Sequence, residues 1–134
     1  MIRTIQDSVR FSCTCCFQKF ENDLVTIAYS SNSITTFNIS NPLNPIEKKY
    51  LQSNQLYGPN RLSIIENKAY MINSVNDNFT EIDLSGETPK INYIVPSWML
   101  EKVYGLTTNN GLLYMVGRDS RYFLIIDPKI YIKN

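Results

Sequence analysis

The chain has no histidine, and only three cysteines, five glycines and one tryptophan in 134 residues. The missing histidine removes the commonest general base, the commonest zinc ligand and every triad that relies on an imidazole. Three cysteines are few and odd in number, a poor disulfide framework, so they are expected to be reduced. The net charge is +1, without the basic excess that draws a protein to nucleic acid or to an anionic membrane. No apolar run approaches the roughly 18 residues needed to span a bilayer. The opening MIRTIQDSVRF has no apolar stretch of the kind a secretory signal carries, which makes a cytoplasmic setting the expectation. Apolar and aromatic side chains are plentiful instead, at 43% and 12%, as in a globular domain long enough for one core.

The most informative presence is a stretch that occurs three times. Asn22–Ser40, Asn67–Ser85 and Asn110–Pro128 each open with Asn and run through an apolar segment. Each then turns at small or polar residues and climbs a second apolar segment to Asn38, Asp83 or Asp127. The offset is 45 residues between Asn22 and Asn67, and 44 between Asp83 and Asp127. A fixed period near 40–45 residues with several strands per period is the signature of β-propeller blades. The expected fold is all-β, a single domain over 1–134 with three four-stranded blades at about 8–52, 53–97 and 98–134. An ordinary β-sandwich also suits short, evenly spaced strands, but the threefold repeat weighs against it.

Within each blade the pattern predicts an inner strand, two central strands and an outer strand. Arg10–Phe20, Arg61–Ile65 and Val103–Thr107 are the inner ones. Outer strands are predicted at Ile46–Leu51, Lys90–Val95 and Lys129–Lys133, where lysines discourage pairing with foreign strands. Ile2–Ile5 is a further short strand candidate, and one helical turn is allowed at Trp98–Val103. Phe37, Ile82 and Ile126, just before Asn38, Asp83 and Asp127, are predicted to be equivalent and buried. The Asn or Asp itself is expected to bond the backbone of the following turn.

At these residues the chain resembles the LVIVD-type β-propeller repeat family. Asn38-Ile39-Ser40-Asn41-Pro42-Leu43-Asn44-Pro45 is similar to its D-V-S-N-P-x-x-P hallmark. Glu81–Ser85 and Ile125–Pro128 are similar to its I-V-D-V-S core, and Lys68–Met71 and Leu113–Val116 to its A-Y-V-A strand. The first repeat departs in carrying Asn38 for the usual Asp, and the second has lost Asn-Pro. The resemblance covers roughly Arg10 to the C-terminus. It implies a repeat scaffold, and it brings no catalytic residues to transfer.

Candidate chemistry is sparse. Cys13-Thr14-Cys15-Cys16 stands out, but on a regular strand Cys13 and Cys15 share a face while Cys16 points away. A structural zinc site needs four ligands, so the cysteines read as core packing, with no metal site. Carboxylate pairs for a hydrolase could come from Glu81 and Asp83, or from Asp77 and Asp119 in turns, but nothing marks them out from solvated acids. Tyr57-Gly58 and Tyr104-Gly105 recur before the inner strands, where glycine allows close approach and tyrosine offers an amphipathic surface. With Trp98 they are the candidate ligand-binding residues. The resulting expectation is a non-enzymatic binding module without cofactor, presenting loops to a protein or small ligand. A lectin-like propeller using the repeated Tyr-Gly positions is the alternative.

Three blades cannot close a ring, since closure takes about 4–8. The ends, lined by Leu24–Tyr29 and Leu112–Val116, are expected to be apolar. The expected partner is therefore a second copy completing six blades as a homodimer, with Ile2–Ile5 as a latch. The rest of a longer propeller would serve equally.

Overall fold

The computed structural model describes residues 4–96, 103–117 and 121–131. Over them the chain is all-β, in three antiparallel sheets. The first holds β1 (Thr14–Phe20), β2 (Asp23–Ala28), β3 (Ser33–Asn38) and β4 (Ile46–Gln52). The second holds β5 (Pro59–Ile65), β6 (Lys68–Asn73), β7 (Asn78–Asp83) and β8 (Lys90–Pro96). The third holds β9 (Val103–Asn109), β10 (Leu112–Gly117) and β11 (Phe123–Ile126), followed by a helical turn α1 (Pro128–Tyr131). Every strand pairs with its sequence neighbour, so each sheet is a meander. Among the described residues no helix is long and apolar enough to cross a membrane.

The turns repeat with the strands. Glu21 and Glu66 open the two-residue turns of β1–β2 and β5–β6 with positive φ, of 53° and 55°. Asn110 and Gly111 do the same between β9 and β10, a conformation that suits the twist of a tight hairpin. The four-residue connections β2–β3 and β6–β7 end on Asn32 and Asp77, both left-handed, where short polar side chains are tolerated. At the strand ends the expected backbone bonds are made. Asn38 Oδ1 accepts the Ser40 amide at 3.1 Å, Asp83 Oδ1 the Ser85 amide at 2.8 Å, and Asp127 Oδ1 the Lys129 amide at 2.9 Å.

Bulges repeat as well. The register slips by one residue at Cys15 in β1, Asn60 in β5 and Tyr104 in β9. A second pair falls at Lys48 in β4 and Asn92 in β8. A bulge sets two residues against one on the partner strand and re-aims a side chain, which matters at both sites described below.

Alternation along the central strands gives each sheet two distinct faces. Val25, Ile27 and Ile34 of the first sheet pack on Leu62, Met71, Ile82 and Leu84 of the second, all at most 5% exposed. The other face of the second sheet brings Tyr70, Ile72, Phe79 and Val95 against Val103, Leu113 and Met115 of the third. The second sheet is therefore covered on both faces, and β1, β5 and β9 run side by side. Phe37 and Ile82 are buried as expected, at 8% and 0% exposure, while Ile126 is half-buried against the second cluster.

Three expectations are corrected. The first inner strand begins at Thr14, because residues 8–13 form turns. Asp7 Oδ1 accepts the amides of Val9 and Arg10, both at 2.8 Å. This compact segment lies on the outer face of the first sheet: Phe11 stacks on Phe37 at 5.6 Å, and Arg10 sits 3.9 Å over the Tyr50 ring. The end formed by Leu24–Tyr29 is thus covered from within the chain. Second, Lys129–Lys133 is not an outer strand over its described part, for Pro128–Tyr131 is helical. Asp127 accepts the Lys129 amide as a helix cap does, and Pro128 occupies the first helical position, where its missing N–H costs nothing. Third, Thr4 and Ile5 form no strand, and residues 1–3 lie outside the described residues.

Candidate functional site

The second sheet carries a buried carboxylate. Register places Glu81 on β7 opposite Tyr70 on β6 and Tyr93 on β8. Because Asn92 is the bulged residue of β8, it too turns toward the carboxylate. Tyr70 donates to Oε2 at 2.6 Å and Asn92 to Oε1 at 2.7 Å; the Tyr93 hydroxyl also donates to Oε2. Lys68 Nζ stands 3.6 Å from Oε1. Glu81 is 0% exposed. Burial alone pushes its pKa up, but hydrogen bonds from Tyr70, Tyr93 and Asn92 and the charge of Lys68 outweigh it, so the carboxyl is held below its ordinary value. Burial and the adjacent carboxylate both raise the Tyr70 and Tyr93 pKa values. The network is a satisfied anion with its donors fixed around it, and Glu81 presents no free face to a substrate.

A cleft of about 280 Å³ opens beside this network, lined in part by Glu66, Lys68, Tyr70 and Pro128. A second of about 230 Å³ lies between the first and second sheets, lined in part by Glu21, Asp23, Val25 and Leu84. These are the same positions one repeat earlier, so each inter-sheet seam has one such cleft at its hairpin end. In the earlier one Lys48 pairs with Asp23 at 2.7 Å. Asp23 Oδ1 and Thr36 Oγ1 are buried there without a hydrogen-bond partner.

The thiols are arranged differently from expectation. Cys13 and Cys15 are exposed, and only Cys16, half-buried, packs against the first core cluster as expected. The bulge at Cys15 breaks the alternation, and both thiols turn to consecutive carbonyls of β5. Cys15 donates to the Pro59 carbonyl at 3.3 Å and Cys16 to that of Asn60 at 3.1 Å. Arg61 stands beside both. The neighbouring Cys15 thiol, with Arg61 assisting, pulls the Cys16 thiol down to about 6 against the effect of burial; the same proximity raises Cys15. Regular alternation along the strand hid this pair, since only the bulge brings neighbours to one face.

The two predicted Tyr-Gly pairs stand at different places in their sheets. Tyr57 is 47% exposed. Gly58 has φ 71°, and a Cβ there would stand 2.6 Å from Val75 Cγ2 and 3.1 Å from the Tyr29 ring. Its amide donates to Asn32 Oδ1 at 3.1 Å, and its carbonyl accepts the Ser74 amide at 2.9 Å. Glycine is required at this position to knit two turns together. Gly105 is instead a strand residue paired with Val116, whose Cγ2 would lie 2.6 Å from an added Cβ. Tyr104-Gly105 corresponds by register to Asn60-Arg61, so it is not the counterpart of Tyr57-Gly58. Trp98 and Asp119 lie outside the described residues. Of the other carboxylates, Asp77 closes a turn in left-handed conformation and Asp83 is bonded to the Ser85 amide and hydroxyl.

Among the described residues, the third sheet carries a group of exposed apolar side chains. On the side turned away from the second sheet, Val116, Phe123 and Ile125 are 45%, 62% and 57% exposed. Tyr114 stacks on Phe123 at 6.1 Å on the same face. Neither a protein-family model nor a curated protein matches this chain.

Proposed function

We propose that the chain is a run of three blades of a β-propeller of the LVIVD-repeat type, acting as a non-enzymatic interaction module. Its partner is a protein, a second copy of this chain, received on the outer face of the third sheet. Support for the blade reading comes from the four-stranded meanders, the side-by-side inner strands and the repeated bulges. The observation that carries the function is the uncharged patch of Tyr114, Val116, Phe123 and Ile125. A cluster of exposed aromatic and branched side chains on one sheet face marks an interaction site, and two such faces bury each other without leaving a charge unpaired.

Closing a ring of six blades from two copies would require the outer face of the first sheet to be bare. Residues 7–12 would have to leave Phe37 and Tyr50 first. Pairing through the third sheet alone needs no such rearrangement. Light scattering over a dilution series tests it. A mass of twice the chain is expected, falling to the monomer for Phe123→Asp with the circular dichroism spectrum unchanged. A wild-type monomer at every concentration overturns the proposal.

A further inference from the structure

We propose that Cys15 and Cys16 form a redox modification site, oxidised by a hydroperoxide to a disulfide between adjacent residues and restored by a thiol reductant. Neighbouring side chains of an ordinary strand point to opposite faces, so adjacent cysteines in a sheet rarely meet. Here the extra residue at Cys15 breaks that rule, and the two sulfurs turn the same way, 3.3 Å and 3.1 Å from the consecutive carbonyls of Pro59 and Asn60. Both face the first residues of β5. Arg61 supplies a cation beside them, and its Nη1 donates to the Asn60 carbonyl at 2.6 Å. When Cys16 gives up its proton, that carbonyl therefore keeps a donor. A half-buried sulfur beside an exposed one is open to a small oxidant.

The chemistry takes two steps. The Cys16 thiolate attacks one oxygen of the hydroperoxide and the O–O bond breaks. Sulfur keeps that oxygen as a sulfenic acid, and the remaining alkoxide takes a proton from solvent and leaves as the alcohol or water. The Cys15 sulfur then attacks the Cys16 sulfur. An S–S bond forms, the S–O bond breaks, and water departs with the proton that Cys15 loses. The two thiols give up two electrons in all, and the peroxide is reduced by two. Adjacent Cα atoms are about 3.8 Å apart, short of the usual separation across a disulfide of about 4.4–6.8 Å. The product is therefore strained, which favours its reduction by thiol exchange.

All three cysteines fall on one tryptic peptide, Phe11–Lys19, so fragment-ion mass spectrometry places the bond. Folded protein is treated with a small excess of hydrogen peroxide and then alkylated. The expected peptide is 2 Da lighter in its two adjacent cysteines, which escape alkylation, and is alkylated at Cys13. Dithiothreitol returns three free thiols. In Cys15→Ser a sulfenic acid trappable with dimedone collects at Cys16. In Arg61→Gln the oxidation slows by about tenfold as the thiolate loses its cation. A bond that includes Cys13, or three thiols surviving a treatment that oxidises free cysteine, overturns the proposal; both are read on the wild type and need no variant to fold.

Discussion

Where the second sheet holds Glu81, the first holds Thr36, and the charges around the two sit at different positions. Lys68 of the second sheet corresponds to Asp23 of the first, and the bulged Asn92 of β8 to the bulged Lys48 of β4. In one sheet a carboxylate is driven into the seam and met by two tyrosines, an amide and a lysine. In the other the acid has moved to the neighbouring strand and pairs with a half-exposed lysine, while a threonine hydroxyl goes without a partner. The backbone plan is shared to the level of single bulges. What differs is how completely each seam answers the polar groups it buries. An interior anion is tolerable only when nearly all of its lone pairs are taken.

The sharpest way to break the comparison is to remove the anion. Glu81→Ala strands the hydroxyls of Tyr70 and Tyr93, and we expect a loss of about 3–5 kcal/mol in a urea melt. A change under about 1 kcal/mol would mean that the network adds little beyond packing. Acid provides a second test. The folded carboxyl titrates below its ordinary value of 4.5, so its contribution is complete above that value. It is lost as the pH falls through the lower folded value. Glu81→Gln should flatten this acid limb of the stability curve.

The first sheet should respond far less. Asp23→Asn removes one member of a pair whose lysine is 39% exposed, and a cost below about 1 kcal/mol is expected. Thr36→Val replaces an unpartnered buried hydroxyl with a methyl group of equal shape. Its effect should lie between neutral and a gain of about 1 kcal/mol. If Thr36→Val instead costs as much as Glu81→Ala, the two seams are alike after all.

Most strands were legible because the repeat was. Three copies of one pattern fix the central strands to within a residue or two, and the Asn or Asp at 38, 83 and 127 announces each strand end through a bond any short polar side chain can make. The last outer strand was misjudged because Lys129–Lys133 alternates well, whereas Asp127-Pro128 is a helix-opening pair whose meaning the repeat masked. The candidate sites were legible in kind but not in place. Glu81 looked like one strand acid among several. Its burial depends on Tyr70 and Tyr93 being in register and on Asn92 being a bulge, none of which a single strand displays. The Cys15–Cys16 pair was hidden for the same reason, since alternation along a strand holds only until one extra residue is inserted. The match imagined between Tyr57-Gly58 and Tyr104-Gly105 failed through a spacing of 47 residues where the register repeats at 44 or 45.

The short segment that stacks Phe11 on Phe37 also bears on how far the proposed association could go. A stack of sheets with two bare ends can join head to tail without limit, because such a contact is heterologous and leaves a fresh end after every addition. Here one end is plugged by the chain itself and the other presents Phe123 and Ile125. If two third sheets pair as proposed, growth by that route would stop after a single step. On that proposal a few residues of turn would act as a stopper against filaments and hold stoichiometry finite in a fold built from repeats.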